Sequence, residues 1–278
     1  YVPLSRNGDI INTQFDMDTL QEMGLLKMDF LGLRNLTIIR DTLRLIEQST
    51  GERVDLETIN FHEPKVYEMI SEGYTDGVFQ LESRGMKSFV KELKPNCLED
   101  LIAGISLYRP GPMDQIPLYI KNKNHPDKVT YRHPLLKPIL EVSYGCMVYQ
   151  EQVMQIVREL GGYSFGRADV VRRAMSKKKF SVMEEERKNF IYGKVGPDGS
   201  VEVEGAIRRG VEEATANDIF DEMMDFANYA FNKSHAAAYA VITYQTAFLK
   251  YFYPAQFMAA LLSSVLGDAV KVPQYISD

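Results

Sequence analysis

Lys27 and Asp29 sit two residues apart inside the run LLKMDFLG. In an extended segment, alternate residues project the same way about 7 Å apart, so one face offers a carboxylate beside an ammonium. An aspartate so placed reads either as a solvated or ion-paired face or as a hard-cation ligand, and the second role needs partners. Two-metal phosphoryl transfer takes several carboxylates to hold a pair of Mg2+ ions about 4 Å apart. Asp16 and Asp18 in TQFDMDTL are the tempting partners. They are set aside, because Asp18 reads as a helix cap with Gln21 three residues on, and Asp16 leads into that helix. Asp29 is then one ligand of a site whose other ligands this sequence does not hold.

A second constellation is GRADVVRRAMSKKK, residues 166–179, with Arg167, Arg172, Arg173, Lys177, Lys178 and Lys179 in an otherwise acidic chain of formal net charge −6. A solvated helix face is one reading. No acid falls between Asp169 and Glu184 in sequence, which favours the other: a polyphosphate or nucleic-acid backbone, gripped by the planar forks of arginine and the point charges of lysine. A third is YAFNKSHAAAYA, which gathers Tyr229, Asn232, Lys233, Ser234, His235 and Tyr239 around a helix start. Asn232 or Ser234 can cap it, and the N–H groups exposed there favour an anion. Read as more than a cap, the donors and aromatics suit something flat and negatively charged, such as a nucleotide. In LYRPGP, a proline-stiffened turn carries Arg109, either as a guanidinium aimed at a ligand or as a loop arginine.

The elements that must position these groups are mostly helical. DMDTLQEMG reads as a helix stopped by Gly24, and LLKMDFLG as a strand with Leu26, Met28 and Phe30 on its core face. From residue 34 the period changes. Leu36, Ile39, Leu43 and Ile46 recur at helical spacing up to Gly51, and eight more stretches between PKVYEMISEG and PAQFMAALLSSVLG read as helices. The fold class is therefore mainly α: a large helical array with a short β segment at the start and a small β-hairpin insertion at GKVGPDGSVEVEG, placed at the periphery. One boundary falls near residue 33.

Composition narrows the function classes. With 45% hydrophobic and 25% charged residues the chain supports a real core. Its acidic balance excludes coating nucleic acid by bulk charge and leaves only a local basic stripe. Cys97 and Cys146 lack CxxC spacing and read as free core thiols in a reducing cytoplasm, and His62, His125 and His133 lack ligand spacing. No apolar run approaches the roughly 18 residues of a membrane span. The opening YVPLSRNGD begins without Met and enters structure at once, as a piece of a longer chain would.

The stretches GLLKMDFLGLRNLTII, GVFQLESRGMK, LYRPGP, YGCMVYQEQVMQI, RRAMSKKK and FNKSHAAAYAVITYQTAFLKYFYPAQFMAALL, in that order, resemble the alpha (catalytic) subunits of the C-family bacterial replicative polymerases, of the DnaE type. The resemblance runs almost end to end. It implies that residues 1–33 close a nucleotidyltransferase palm and that 34–278 form most of the fingers. It implies template-directed DNA synthesis by two-metal transfer in the intact subunit, with two Mg2+ ions, Asp29 as the third metal-binding carboxylate, and the other two in an upstream PDxD-type motif. By the same resemblance Lys27, Arg109, Arg172, Arg173, Lys233, Ser234 and His235 surround the incoming dNTP. Arg172 and Arg173 would take its triphosphate and Ser234 and His235 its sugar, while Lys177, Lys178 and Lys179 follow the DNA backbone. Partners implied are primer-template DNA and, through regions absent here, the sliding clamp, clamp loader and proofreading exonuclease. The competing expectation is a non-catalytic helical module that binds nucleotide or nucleic acid.

Overall fold

A computed structural model describes residues 2–176, 180–227 and 229–277. The chain opens with a hairpin that the sequence reading overlooked, β1 (Leu4–Asn7) antiparallel to β2 (Ile10–Thr13) in the register Leu4 to Thr13. Its two-residue turn is Gly8-Asp9, and glycine in the first position, here at φ +60°, suits a tight hairpin turn. Helix α1 (Met17–Glu22) follows. Its cap is Asp16, not Asp18: the Asp16 carboxylate accepts the Thr19 N–H at 2.8 Å, and that bond holds its pKa below the usual carboxylate range. Asp18 sits one residue inside the first turn, where its charge meets the positive end of the helix.

The expected strand at residues 25–32 does not form. The segment pairs with nothing among the described residues, and its intended core face is in water, with Leu26 79% and Phe30 93% exposed. Alternation specifies which face a strand buries, but a ladder needs a second strand to supply the hydrogen bonds. The short β segment of this region is the hairpin at 4–13 instead.

From residue 34 the molecule is helical: α2 (Arg34–Thr50), α3 (Pro64–Ser71), α4 (Arg84–Leu93), α5 (Leu98–Leu107), α6 (Ile116–Asn124), α7 (Lys137–Leu140), α8 (Gln150–Gly161), α9 (Phe165–Ser176), α10 (Phe180–Tyr192), α11 (Glu213–Ala227), α12 (Lys233–Phe252), α13 (Pro254–Ser264) and α14 (Lys271–Ile276). The mainly α fold class is what the structure shows. Helices α6, α7, α10 and α14 were not foreseen. The caps follow local chemistry: Ser83 accepts the Met86 N–H at the start of α4, and Gly51 and Gly162 end α2 and α8 in the left-handed region. Along α2, Ile39 and Ile46 are buried as the spacing demands, whereas Leu36 is exposed and Ile38 and Thr42 take its place.

Three apolar clusters hold this body together. One is built by α7 to α11, another by α3 to α6 with Tyr149 and α12 from Ala236 to Ala247, and a third by α2, α13 and α14 with Leu249 from the end of α12. Helix α12 is 20 residues and about 30 Å long, so it serves two clusters at once. Its small Ala236, Ala240 and Ala247 are fully buried and let α5 lie close. The late insertion is the expected hairpin, β3 (Lys194–Val195) against β4 (Val201–Val203). Its tip is peripheral but its base is not. Val203 and Ala206 are buried, and Gly193 and Gly205 pack back to back, so that a Cβ on Gly205 would lie 2.3 Å from the Gly193 nitrogen.

Candidate functional site

Tyr149 and Phe231 form a parallel bridge between the entry to α8 and the entry to α12. The next residue extends it: Gln150 N–H donates to the Phe231 carbonyl at 2.8 Å, and its side-chain amide reaches the Ala230 carbonyl at 3.4 Å. Most of the candidate groups, drawn from three separated stretches, gather around this junction.

Arg172, on α9, donates from Nη1 to Gln150 Oε1 at 3.2 Å and from Nε to Asp169 at 2.8 Å. Arg173 reaches the other oxygen of Asp169 at 2.6 Å. The Arg172 hydrogen bond first, then the charges of both guanidinium groups, hold the Asp169 carboxyl below its usual range. This corrects the reading of an unneutralised patch. Asp169 lies three and four residues before the arginines, the two separations that share a helix face. Arg167 is compensated as well, at 3.0 Å from Glu186 and from Glu202. Lys177, Lys178 and Lys179 lie outside the described residues.

Asn232 caps α12, accepting the His235 N–H at 2.9 Å. The anion expected at this helix start is supplied from within. Glu151 accepts the Lys233 N–H at 3.0 Å and the Asn232 amide at 2.8 Å, so the positive end of α12 already faces a carboxylate. Lys233 Nζ is 3.0 Å from Glu99 and 5.2 Å from the Tyr149 ring centroid. Ser234 is exposed on the first turn. The His235 imidazole packs against Tyr239 with ring centroids 4.1 Å apart and planes tilted by 51°, and meets Phe231 edge-on at 5.5 Å.

Arg109 is less a ligand-facing arm than the reading of LYRPGP implied. It donates to the Ser106 carbonyl at 2.9 Å and the Tyr229 carbonyl at 2.7 Å, and its guanidinium lies 4.1 Å over Phe231. Partial burial lowers its pKa. It fastens the 229–231 strand to the end of α5 and so sets the height of the junction.

Lys27 and Asp29 stand apart on the exposed segment and pair with each other at 3.3 Å. Among the described residues no group of three or more His, Cys, Asp or Glu side chains could hold a metal ion. One carboxylate neutralised by its neighbouring lysine does not fit a pair of divalent cations, so these residues alone do not make the two-metal centre. The groups overlooked from sequence are Gln150, Glu151, Glu99 and Phe231. For Gln150 and Glu151 the signal was present in YQEQV, where polar side chains begin a helix, but which loop they would meet is a tertiary fact.

Residues 35–196 match the family model of the bacterial DNA polymerase III alpha subunit finger domain. The chain belongs to this family. The match takes in Arg109, Arg172 and Arg173 but ends before α12. Proteins named DNA polymerase III subunit alpha extend the likeness across the rest. That of Thermus aquaticus is 49% identical over 271 residues, that of Bacillus subtilis 46% over 276, and that of Staphylococcus aureus strain COL 45% over 278. These alignments cover 96%, 99% and 100% of this chain but 21%, 24% and 25% of the relatives. The polymerase III finger-domain family thus accounts for residues 35–196 of the helical body, and the chain spans about a quarter of the curated relatives it matches.

Proposed function

We propose that this chain is the nucleotide-facing part of a replicative DNA polymerase III alpha subunit, which carries out template-directed 5′–3′ DNA synthesis by nucleotidyl transfer. Residues 1–33 end its palm and 34–278 form its fingers. The observation that carries the reading is identity of 45–49% to alpha subunits over 96–100% of the chain. The domain division is supported by the family match opening at residue 35 and by the change at residue 34 from exposed segment to packed helix.

In this reading Arg172 and Arg173 bind the triphosphate of the incoming dNTP by exchanging Asp169 for phosphate oxygens. The exchange costs little, because the Asp169 pairs lie within reach of water, which screens them, while a planar fork bonds phosphate as well as carboxylate. Charge growing on the leaving pyrophosphate is stabilised by the same forks. Lys233 and the start of α12 contribute less than the sequence suggested, because Glu99 and Glu151 already occupy them. His235, open to solvent and backed by Tyr239, lies against the sugar with Ser234, and Arg109 holds the loop that presents them. Lys27 screens Asp29 until substrate arrives, and Asp29 is the one carboxylate this chain brings to the reacting end. Lys177, Lys178 and Lys179 contact the DNA backbone. Sliding clamp, clamp loader and exonuclease engage other parts of the subunit, which works in the cytoplasm; among the described residues no helix is long and apolar enough to cross a membrane.

The deciding experiment is primer extension by the complete gene product, wild type against Asp29→Asn, with primer-template binding measured on both. Loss of extension by roughly 100-fold or more with binding retained supports the reading. Unchanged extension makes Asp29 structural and favours the non-catalytic nucleotide-binding module.

A further inference from the structure

The stretch 75–83, part of the GVFQLESRGMK motif, is held in a conformation that its sequence does not favour. Gln80 has φ +66°, although it carries a Cβ and is exposed. Such outliers persist where the surroundings over-determine them. Here both flanks are fixed. The buried Thr246 of α12 accepts the Phe79 N–H at 3.1 Å, and Thr75 donates to the Leu81 carbonyl at 2.7 Å. Gly77, at φ +75°, lies so close to α13 that a Cβ there would be 2.5 Å from Leu261 and 3.0 Å from Phe257.

The strained turn places one side chain. Phe79 is buried, with its ring edge-on to Tyr239 at 5.1 Å and an interplanar angle of 75°. Tyr239 in turn packs against His235, its ring centroid 4.1 Å away and its plane tilted by 51°. Among the described residues the His235 imidazole makes no hydrogen bond, so its orientation is set by aromatic contacts, and Phe79 braces the inner one. We propose that Phe79 is a positioning residue: through Tyr239 it fixes the His235 ring, and so the width of the space left for the 2′ position of the incoming sugar. This rests on the reading of His235 as the sugar-facing group. Rings packed edge-to-face resist rotation better than an aliphatic contact does, because the arrangement satisfies the ring quadrupoles.

The test is incorporation of a dNTP against the matching rNTP opposite one template base, by the complete gene product carrying Phe79→Leu, His235→Ala, or both. An aromatic pair's contribution corresponds to roughly a 2- to 10-fold change. Phe79→Leu is expected to lower the dNTP-over-rNTP ratio of kcat/KM by that factor, mostly through KM, and Phe79→Tyr to keep it. The double variant is expected to match His235→Ala alone, the signature of one residue acting through the other. Should Phe79→Leu leave the ratio unchanged while His235→Ala alters it, the brace is refuted and the sugar reading stands. Should neither alter it, the sugar reading fails and takes the brace with it. Additive effects also refute the proposal, since they mean independent routes. If Phe79→Leu unfolds, Phe79→Met keeps the volume without the ring and answers the same question.

Discussion

Residues 2–33 and residues 34–277 carry comparable apolar patterns and reach opposite outcomes. In the first region Leu26, Met28, Phe30 and Leu31 are 66–93% exposed, and in the second Ile46, Val66, Ile70 and Leu160 are fully buried. The difference is partnership, not propensity. An α-helix satisfies its own backbone hydrogen bonds and then needs only a neighbour for its stripe, whereas a strand needs a ladder before its pattern means anything. A similar contrast separates charges. Lys27–Asp29 is an exposed pair, while Lys123–Asp100 at 3.2 Å is almost completely buried and further bonded by the Asn96 N–H and the Tyr144 hydroxyl.

The buried pair gives the largest effect by which to test that contrast. Asp100→Ala leaves Lys123 without its counter-charge in the interior and is expected to destabilise by about 3–5 kcal/mol in denaturant unfolding. A cost no larger than that of an exposed pair would erase the distinction. Next, Arg172→Ala is expected to raise KM for dNTP roughly 10-fold in primer extension while leaving the thermal midpoint within a degree or two, because the residue is only partly buried and its bonds are replaceable by water. An unchanged KM with lowered stability would assign Arg172 to holding α9 against α8 alone.

A smaller effect is visible by carboxylate titration. Asp169 titrates below the ordinary Asp value of 3.8 in the folded chain. A depressed folded pKa means that its pairing stabilises the fold at pH above that value and is lost as the pH falls through the folded pKa. In Arg172→Ala the Asp169 pKa is expected to rise back toward 3.8, and a pKa that stays put would transfer the cause to Arg173. Smallest of all, Leu31→Ser is expected to alter thermal stability of the chain by less than about 0.5 kcal/mol, since the side chain has no neighbours to lose. A loss of several times that size would show that the segment packs after all.

Much of the body was legible because its signals are local. The stop at Gly51, the cap of α12 narrowed to Asn232 or Ser234, and most of the apolar stripe of α2 each depend on residues within a few positions of one another. The misreadings share a cause. Asp16 and Asp18 are both competent caps, and only the backbone path decides which carboxylate meets the Thr19 N–H. Helix α10 escaped notice because its buried positions include the polar Glu186 and Asn189 beside Met183, Phe190 and Ile191, and it packs against three helices, which blurs the apolar stripe that periodicity seeks. The site divides along the same line. Arg172, Arg173, Lys233 and His235 could be picked as candidates from residue type and clustering, but that Glu99 and Glu151 already answer Lys233 and the start of its helix could not, whereas Asp169 was within sight one turn from the arginines.

The sequence by itself determined the helical class, the hairpin at 194–203, the family and the short catalogue of cations from which any nucleotide site must be drawn, because these follow from hydrogen bonds and spacings that close within a few residues or from motifs read in order. Only the tertiary structure decided that the start of α8 meets the start of α12, that Arg109 spends its donors on the 229–231 backbone, and that Phe79 stands behind His235. Those contacts join residues far apart in the chain, and no local rule assigns a partner across such a distance until the cores have packed.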